Sequence, residues 1–365
     1  MTGLIIHEWI EKFGGSEKVL DKFVETYPDS EIFTLWNNAP LRYPENQVHE
    51  SLIARTILRG RKALSLPFLP IVWRVLAPKG KYDWALVSSH LFAHQVKVRG
   101  IESRSKYVYV HTPARYIWTP EYDARGDNIL IKTVAPIFKL IDKLLVDSEA
   151  SYAANSNFVK ERVERFWGIT PDVIYPPVEV DYLKSGDWKQ NLTQNERKIL
   201  DKLPEQFIMG ASRFIPYKKL DSVIDLAESI DIPVVIAGSG PLEEELKNKA
   251  HQANVAAEVI VNPSDALLYS LIERAEVFIF PPIEDFGIMP VEAMALGTKV
   301  LVNEIGGAKE SLAITSFGAC TNFKDLSQAK ESLQKLIAED LSCKNINYFS
   351  VASFENNIKK WMGRE

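Results

Sequence analysis

A chain of 365 residues is longer than a single hydrophobic core usually holds, so two domains are expected. A formal net charge of −5 argues against nucleic acid as the main partner, and 46% hydrophobic with 25% charged residues is ordinary for a globular protein. Cys320 and Cys343 form no metal or disulfide pattern, no stretch approaches a membrane span, and Glu8 and Glu11 stand where a signal peptide would need positive charge; a cytoplasmic protein is the expectation.

In chain order, residues 4–9 read as a first strand, followed by a loop with Gly14 and Gly15 and a helix from about Ser16. Paired glycines let backbone approach a ligand, or simply make a tight turn, and both readings stand. GxGxxG is absent, which argues against a dinucleotide loop. Strands at 31–35, 85–88 and 107–110 alternate with helical stretches, the pattern of a parallel sheet. Between them, residues 51–78 interleave Arg55, Arg59, Arg61, Lys62 and Arg74 with Phe68 and Trp73, broken by Pro67 and Pro70. Such a segment suits either a surface resting on anionic lipid or a core-packing helix pair with a solvated basic edge.

The strand at 107–110 runs into HTPARYIW, residues 111–118, placing His111, Pro113 and Arg115 at the carboxyl edge of the sheet. His90 and His94 are weaker candidates, and His7, His49 and His251 have no supporting context. A helix at 128–145, a strand at 152–156, a helix ending at Trp167 and Tyr-Pro-Pro-Val at 175–178 follow; residues 182–204, rich in Lys, Gln, Asn and Asp, read as a linker.

The second half opens with a strand at 207–211, and Arg213 and Lys218 stand in the loop before a helix at 221–230. Two cations at a strand end suit a diphosphate, Arg offering a planar fork to its oxygens. Strands at 233–238 and 258–262 follow, the latter ending at Asn262 and Pro263. The apolar run 277–280, closed by Pro281 and Pro282, reads as a strand buried on both faces. Glu284, Asp285, Phe286, Gly287, Ile288 and Met289 make the turn after it, Pro290 sits where a helix would begin, and Gly297 ends that helix. A helix start beyond a parallel strand attracts phosphate through its free N–H groups. Glu284 and Glu292, with seven residues between them, add carboxylates that can accept from adjacent hydroxyls, so phosphate and hydroxyls together suggest a nucleotide-sugar. A strand at 299–303, Gly306-Gly307 and a final helix at 350–362 with an apolar stripe of Phe354, Ile358 and Trp361 complete the chain.

The frame around Glu284 and Glu292, with Glu-x-Phe-Gly, Pro-x-Glu-Ala, the Arg213 and Lys218 loop and His-x-Pro-x-Arg at 111–115, resembles the retaining glycosyltransferases of family four. The resemblance implies a GT-B α/β fold: two Rossmann-like domains facing across a cleft that closes over the donor, with a last helix crossing back. The expected bounds are 1–182 for an acceptor-side domain, 183–348 for a donor-side domain and 349–365 for the returning helix. By the same resemblance His111 sits beside the sugar's reactive carbon, Glu284 at the sugar hydroxyls, and Arg213 and Lys218 at the diphosphate. Glu292 is assigned to the ribose hydroxyls. Gly14 and Gly15 reach towards the donor phosphate, Asn262 and Pro263 lie near the base, and Phe286, Gly287, Ile288 and Met289 form the donor loop. No Asp-x-Asp is present, so the expectation is a metal-independent enzyme without cofactor. It would move a hexose, glucose or mannose, from a UDP- or GDP-sugar to a saccharide or lipid-linked saccharide acceptor. Peripheral contact at the inner membrane face through residues 51–78 goes with that acceptor. The alternatives are a nucleotide-sugar epimerase of the same fold and a non-catalytic nucleotide-sugar binding protein.

Overall fold

The computed structural model describes residues 2–75, 80–120 and 129–364, side chains of 129–132 aside; residues 76–78 of the basic segment and residue 128 lie outside this range. The chain divides into two compact units, residues 1–177 with 354–365, and residues 178–353.

In the first unit the described strands are β1 (Gly3–His7), β2 (Glu31–Thr34), β3 (Val48–Glu50), β4 (Trp84–Ser89), β5 (Lys106–Val110), β6 (Ser151–Ala154) and β7 (Asp172–Val173). They form a parallel sheet in the order β3-β2-β1-β4-β5-β6-β7. β1 and β4 are buried along their whole length, which explains their apolar runs: a strand covered on both faces has no polar side to present. Alternate side chains feed two cores. Leu4, Ile6, Val87 and Val108 pack on one face, Ile5, Leu86 and Tyr109 on the other.

The helices of this unit are α1 (Gly15–Thr26), α2 (Lys62–Ser65), α3 (Leu69–Val75), α4 (Arg115–Trp118), α5 (Ile129–Leu144) and α6 (Asn157–Trp167). The second unit adds α7 (Val180–Ser185) and α8 (Gln194–Lys202) before its sheet. The polar segment 182–204 is therefore not a linker. Thr193 and Glu196 close a capping box on α8, and Trp188, between the two helices, is buried with its ring 5.7 Å from that of Tyr269.

The second sheet contains β8 (Ile208–Arg213), β9 (Val234–Ser239), β10 (Ala257–Val261), β11 (Val277–Phe280), β12 (Lys299–Asn303) and β13 (Gly318–Thr321). All its pairings are parallel, in the order β10-β9-β8-β11-β12-β13. Its helices are α9 (Asp221–Ile230), α10 (Glu243–Gln252), α11 (Asp265–Arg274), α12 (Ile288–Ala295), α13 (Ala308–Thr315) and α14 (Leu326–Ala338). The last helix, α15 (Val351–Met362), starts in the second unit and belongs to the first from Phe354 onward. Phe354, Ile358 and Met362 enter the core beside Phe23 and Tyr109, while Trp361 lies partly buried against Tyr107.

One carboxylate ties the helices of the first unit to the loop beyond β4. Asp142 of α5 is fully buried and accepts from Gln95 Nε2 at 2.7 Å, Trp118 Nε1 at 2.7 Å and Trp167 Nε1 at 2.9 Å. His94 Nε2 lies 3.0 Å from the same group, its ring stacked on Trp167. Removing the acceptor strands all these donors in an apolar surround. Asp142→Ala is therefore expected to lower unfolding stability by about 3–5 kcal/mol in a urea titration; a loss near that of a surface substitution would contradict the hub.

Candidate active site

Parallel sheets present their polar side chains at the carboxyl ends of the strands, and both units do so here. In the second unit β8 and β11 are neighbours, so the loops that leave them run side by side. Lys218, in the turn after β8, lies 2.5 Å from Glu284 Oε1 in the turn after β11, both side chains largely buried. The two residues assigned to different parts of a ligand are thus paired with each other. Lys218 Nζ also lies 5.1 Å from the centre of the Tyr217 ring and 5.9 Å from that of Phe280, which shields the pair from water. Arg213 ends β8, exposed, and donates to Tyr217 Oη at 3.0 Å.

The turn holding Glu284 is fixed from below. Gly307 N donates to Glu284 O at 2.8 Å, and a Cβ on Gly307 would stand 1.9 Å from Asp285 O, so only glycine lets the two backbones meet. Asn303, at the end of β12, donates to Pro281 O at 2.8 Å and accepts from Ile305 N. Phe286 is buried, its ring 5.7 Å from that of Phe349. Gly287, at φ +90°, caps α12, and the helix begins at Ile288 rather than at Pro290. Proline at the third helical position lacks an N–H that would have had no intrahelical partner, so Ile288 and Met289 carry the amides that open the helix. Glu292 is 7% exposed, and burial together with its charge pushes the Tyr269 phenol up. Asn262 follows β10 at φ +50° with its N–H on Gly238 O, and Pro263 comes next.

In the first unit Gly14 caps α1 and Gly15 begins it. Beneath them lies the buried carboxylate of Glu17, which accepts from Glu11 N and Ser16 Oγ; a Cβ on Gly14 would stand 2.0 Å from it. Burial raises Glu17 above the usual carboxylate range. His111 follows β5, and its Nε2 lies 2.8 Å from Ser88 Oγ, which lies 2.9 Å from His7 Nδ1. His7, without supporting context in the sequence, is thus two hydrogen bonds from His111. Burial, then His90, lowers both: His7 to about 3, and His111 well below its ordinary value. Arg162 Nη2 reaches Thr112 Oγ1 and Thr119 Oγ1, each at 3.1 Å, and holds the loop behind His111.

Among the described residues His7, Glu8 and His90 have donor atoms close enough to suggest a metal site. The carboxylate is already engaged by backbone. Glu8 Oε1 accepts from Leu91 N and Ala93 N at 2.8 Å and from Ser89 Oγ at 3.4 Å, and Oε2 accepts from His90 N at 3.0 Å. Three donors crowd Oε1, and Oε2 takes the His90 amide and lies 3.2 Å from His90 Nδ1, so Glu8 anchors the turn after β4. Ser88, Glu8 and Arg162 were not legible as site residues, since nothing local marks a buried Ser, Glu or Arg.

Residues 193–350 match the model of the family described as glycosyl transferases group 1. The matched stretch lies within the second unit. It is 27% identical over 202 residues to the O-antigen chain mannosyltransferase C of Escherichia coli, covering 53% of this chain and 51% of that protein. With the alpha-1,3/1,6-mannosyltransferase ALG2 of Saccharomyces cerevisiae it is 25% identical over 308 residues, 70% of this chain and 58% of the relative. The chain thus spans a little over half the length of these curated relatives. The Anabaena protein Alr3699/HepE, solved in complex with UDP, superposes over 100% of both chains with a TM-score of 0.70 at 16% identity. That likeness shows the fold, the two-domain α/β GT-B architecture.

A histidine buried neutral costs stability once the unfolded chain can protonate it. His7 therefore contributes stability in full above pH 6.5 and loses it as pH falls towards about 3. Unfolding free energies from urea titrations should fall by about 2 kcal/mol in total between pH 7 and pH 5 on this account, and by less in His7→Asn. Parallel pH dependences for the two proteins would show that His7 is not the group responsible.

Proposed function

We propose that the protein is a retaining, metal-independent glycosyltransferase that moves a hexose, glucose or mannose, from a UDP- or GDP-sugar to an acceptor hydroxyl. The acceptor is a saccharide or a lipid-linked saccharide, and the setting polysaccharide or glycolipid assembly at the cytoplasmic face of a membrane. The observation that carries this reading is the Lys218–Glu284 pair between the ends of β8 and β11, beside the opening of α12. A nucleoside diphosphate leaving a sugar gains negative charge, and stabilising it is the main demand on the catalyst. Arg213, Lys218 and the amides of Ile288 and Met289 supply positive potential without a metal. Arrival of the donor exchanges one ion pair for two contacts, Lys218 turning to the diphosphate and Glu284 to the sugar hydroxyls. Neither group is left bare in a dry site, which is where an unpaired charge is costly.

Glu292 holds the ribose hydroxyls; Asn262, Pro263 and the turn from Phe286 to Met289 frame the nucleotide; Gly14 and Gly15 admit the phosphate; and His111 serves the reactive end of the sugar. In the transfer, the bond from the anomeric carbon to the phosphate oxygen breaks with its electron pair on the phosphate. The acceptor oxygen bonds that carbon on the same face, and its proton passes to the departing phosphate. No enzymic nucleophile is required. Support comes from the family match and from relatives named as mannosyltransferases.

Nucleotide release from a panel of UDP- and GDP-hexoses, with EDTA and a mixed saccharide acceptor pool, tests this reading. Release from one donor by wild type and not by Glu284→Gln is expected. In the same assay Arg213→Ala should lower kcat about 10²-fold, and Glu292→Ala should mainly raise the donor KM. Activity abolished by EDTA, a new donor isomer formed without acceptor, or full activity in Arg213→Ala would each overturn it.

Membrane contact belongs to the same proposal. No helix among the described residues is long and apolar enough to cross a membrane. Leu52, Ile57, Leu64, Phe68, Ile71 and Val75 are exposed beside Arg55, Arg61 and Arg74, a surface suited to resting on anionic lipid. Wild type should sediment with phosphatidylglycerol-containing vesicles and less with pure phosphatidylcholine, and Ile57→Asp with Ile71→Asp should abolish this. Equal recovery with both vesicle types would remove the membrane from the account.

A further inference from the structure

We infer that His7 and Ser88 are positioning residues that lock His111 in the tautomer with its proton on Nδ1, so that His111 offers a neutral hydrogen-bond donor and not a base. The chemical use of that donor rests on the function proposed above; the lock itself does not.

The inference follows from counting protons in a closed place. His7 and Ser88 are fully buried and His111 is 9% exposed. Ser88 Oγ stands between two imidazole nitrogens, His7 Nδ1 at 2.9 Å and His111 Nε2 at 2.8 Å. A hydroxyl has one proton to give, so it donates to one ring and accepts an N–H from the other. Burial keeps both rings neutral near pH 7, so each carries one proton.

Two arrangements satisfy both hydrogen bonds. In the first, His7 Nδ1–H donates to Ser88, Ser88 donates to His111 Nε2, and His111 keeps its proton on Nδ1. In the second, every proton is reversed, and His7 carries its proton on Nε2. His7 Nε2 is buried and has no hydrogen-bond partner. The second arrangement therefore buries an orphaned N–H, the rarer and costlier defect, whereas the first leaves only an unused lone pair there. The first is selected by an atom on the far side of the relay from the ligand.

The consequence lies at His111. Its Nε2 lone pair is taken by Ser88, so it cannot accept a proton from an acceptor hydroxyl at that atom. Nδ1 is the nitrogen not used inside the sheet, and it carries a proton to donate. A group of this kind binds an oxygen lone pair, such as a sugar hydroxyl oxygen of the donor. Because the ring is already neutral and oriented, no proton has to be moved before the donor can bind.

The test is a long-range 1H–15N correlation spectrum of the intact, histidine-labelled chain, whose six histidines are few enough to assign by His7→Asn and His111→Gln. Protonated Nδ1 and bare Nε2 in both His7 and His111 are expected; a proton on His111 Nε2 overturns the inference. Ser88→Ala should turn the His111 pattern into a tautomer mixture and raise the donor KM roughly 2- to 10-fold through the loss of competent population, with kcat little changed. Ser88→Thr, which restores the hydroxyl, should recover both. A folded Ser88→Ala chain with an unchanged His111 pattern would show that Ser88 sets nothing, and if that variant does not fold, the wild-type spectrum decides. A chain with the expected tautomers and no transfer from any donor would uphold the lock and sink the proposed activity instead.

Discussion

Parallel strands buried on both faces can offer polar side chains to a ligand only where they end. The apolar runs of β1, β4, β8, β11 and β12 leave polar positions only at or near the strand ends, since one face supplies each core and the other is sealed as tightly. His7, Ser88 and Ser89, His111, Arg213, Glu284 and Asn303 all stand at or just beyond the carboxyl ends of strands. In each unit polar groups gather at the strand ends because the sheet permits them nowhere else.

Placing ionisable groups at such an edge creates an electrostatic problem that the chain solves before any ligand arrives. Lys218 and Glu284 neutralise each other, and Glu8 is filled by the amides of the turn it anchors. His7 and His111 are held neutral by burial. Each solution also fixes an orientation, because the hydrogen bonds that compensate for lost water are directional. Preorganisation of this kind is what a site needs if charge developing in a reaction is to be met without rearrangement.

Much of the fold was legible, and for identifiable reasons. The strands Val277–Phe280 and Lys299–Asn303 and the helix Asp221–Ile230 fall where the sequence places them, because apolar runs and turn residues mark their ends. Residues 182–204 misled because their polarity hides a helix whose support is local capping by Thr193 and Glu196 and burial of the single Trp188. The glutamates at 284 and 292 were visible from their frame, but the pairing of Glu284 with Lys218 spans 66 positions and was not.

By itself the sequence determined where most of the central strands and several of the helices lie, the parallel character of the sheets and the loops that carry charge, since these follow from periodicity and punctuation along the chain. Only the tertiary structure decided which loops lie side by side. Strand order sets β1 next to β4 and β4 next to β5, bringing His7 to Ser88 across 81 positions and Ser88 to His111 across 23. Adjacency in a sheet is a property of long-range packing, and no local pattern encodes which buried nitrogen will be left without a partner.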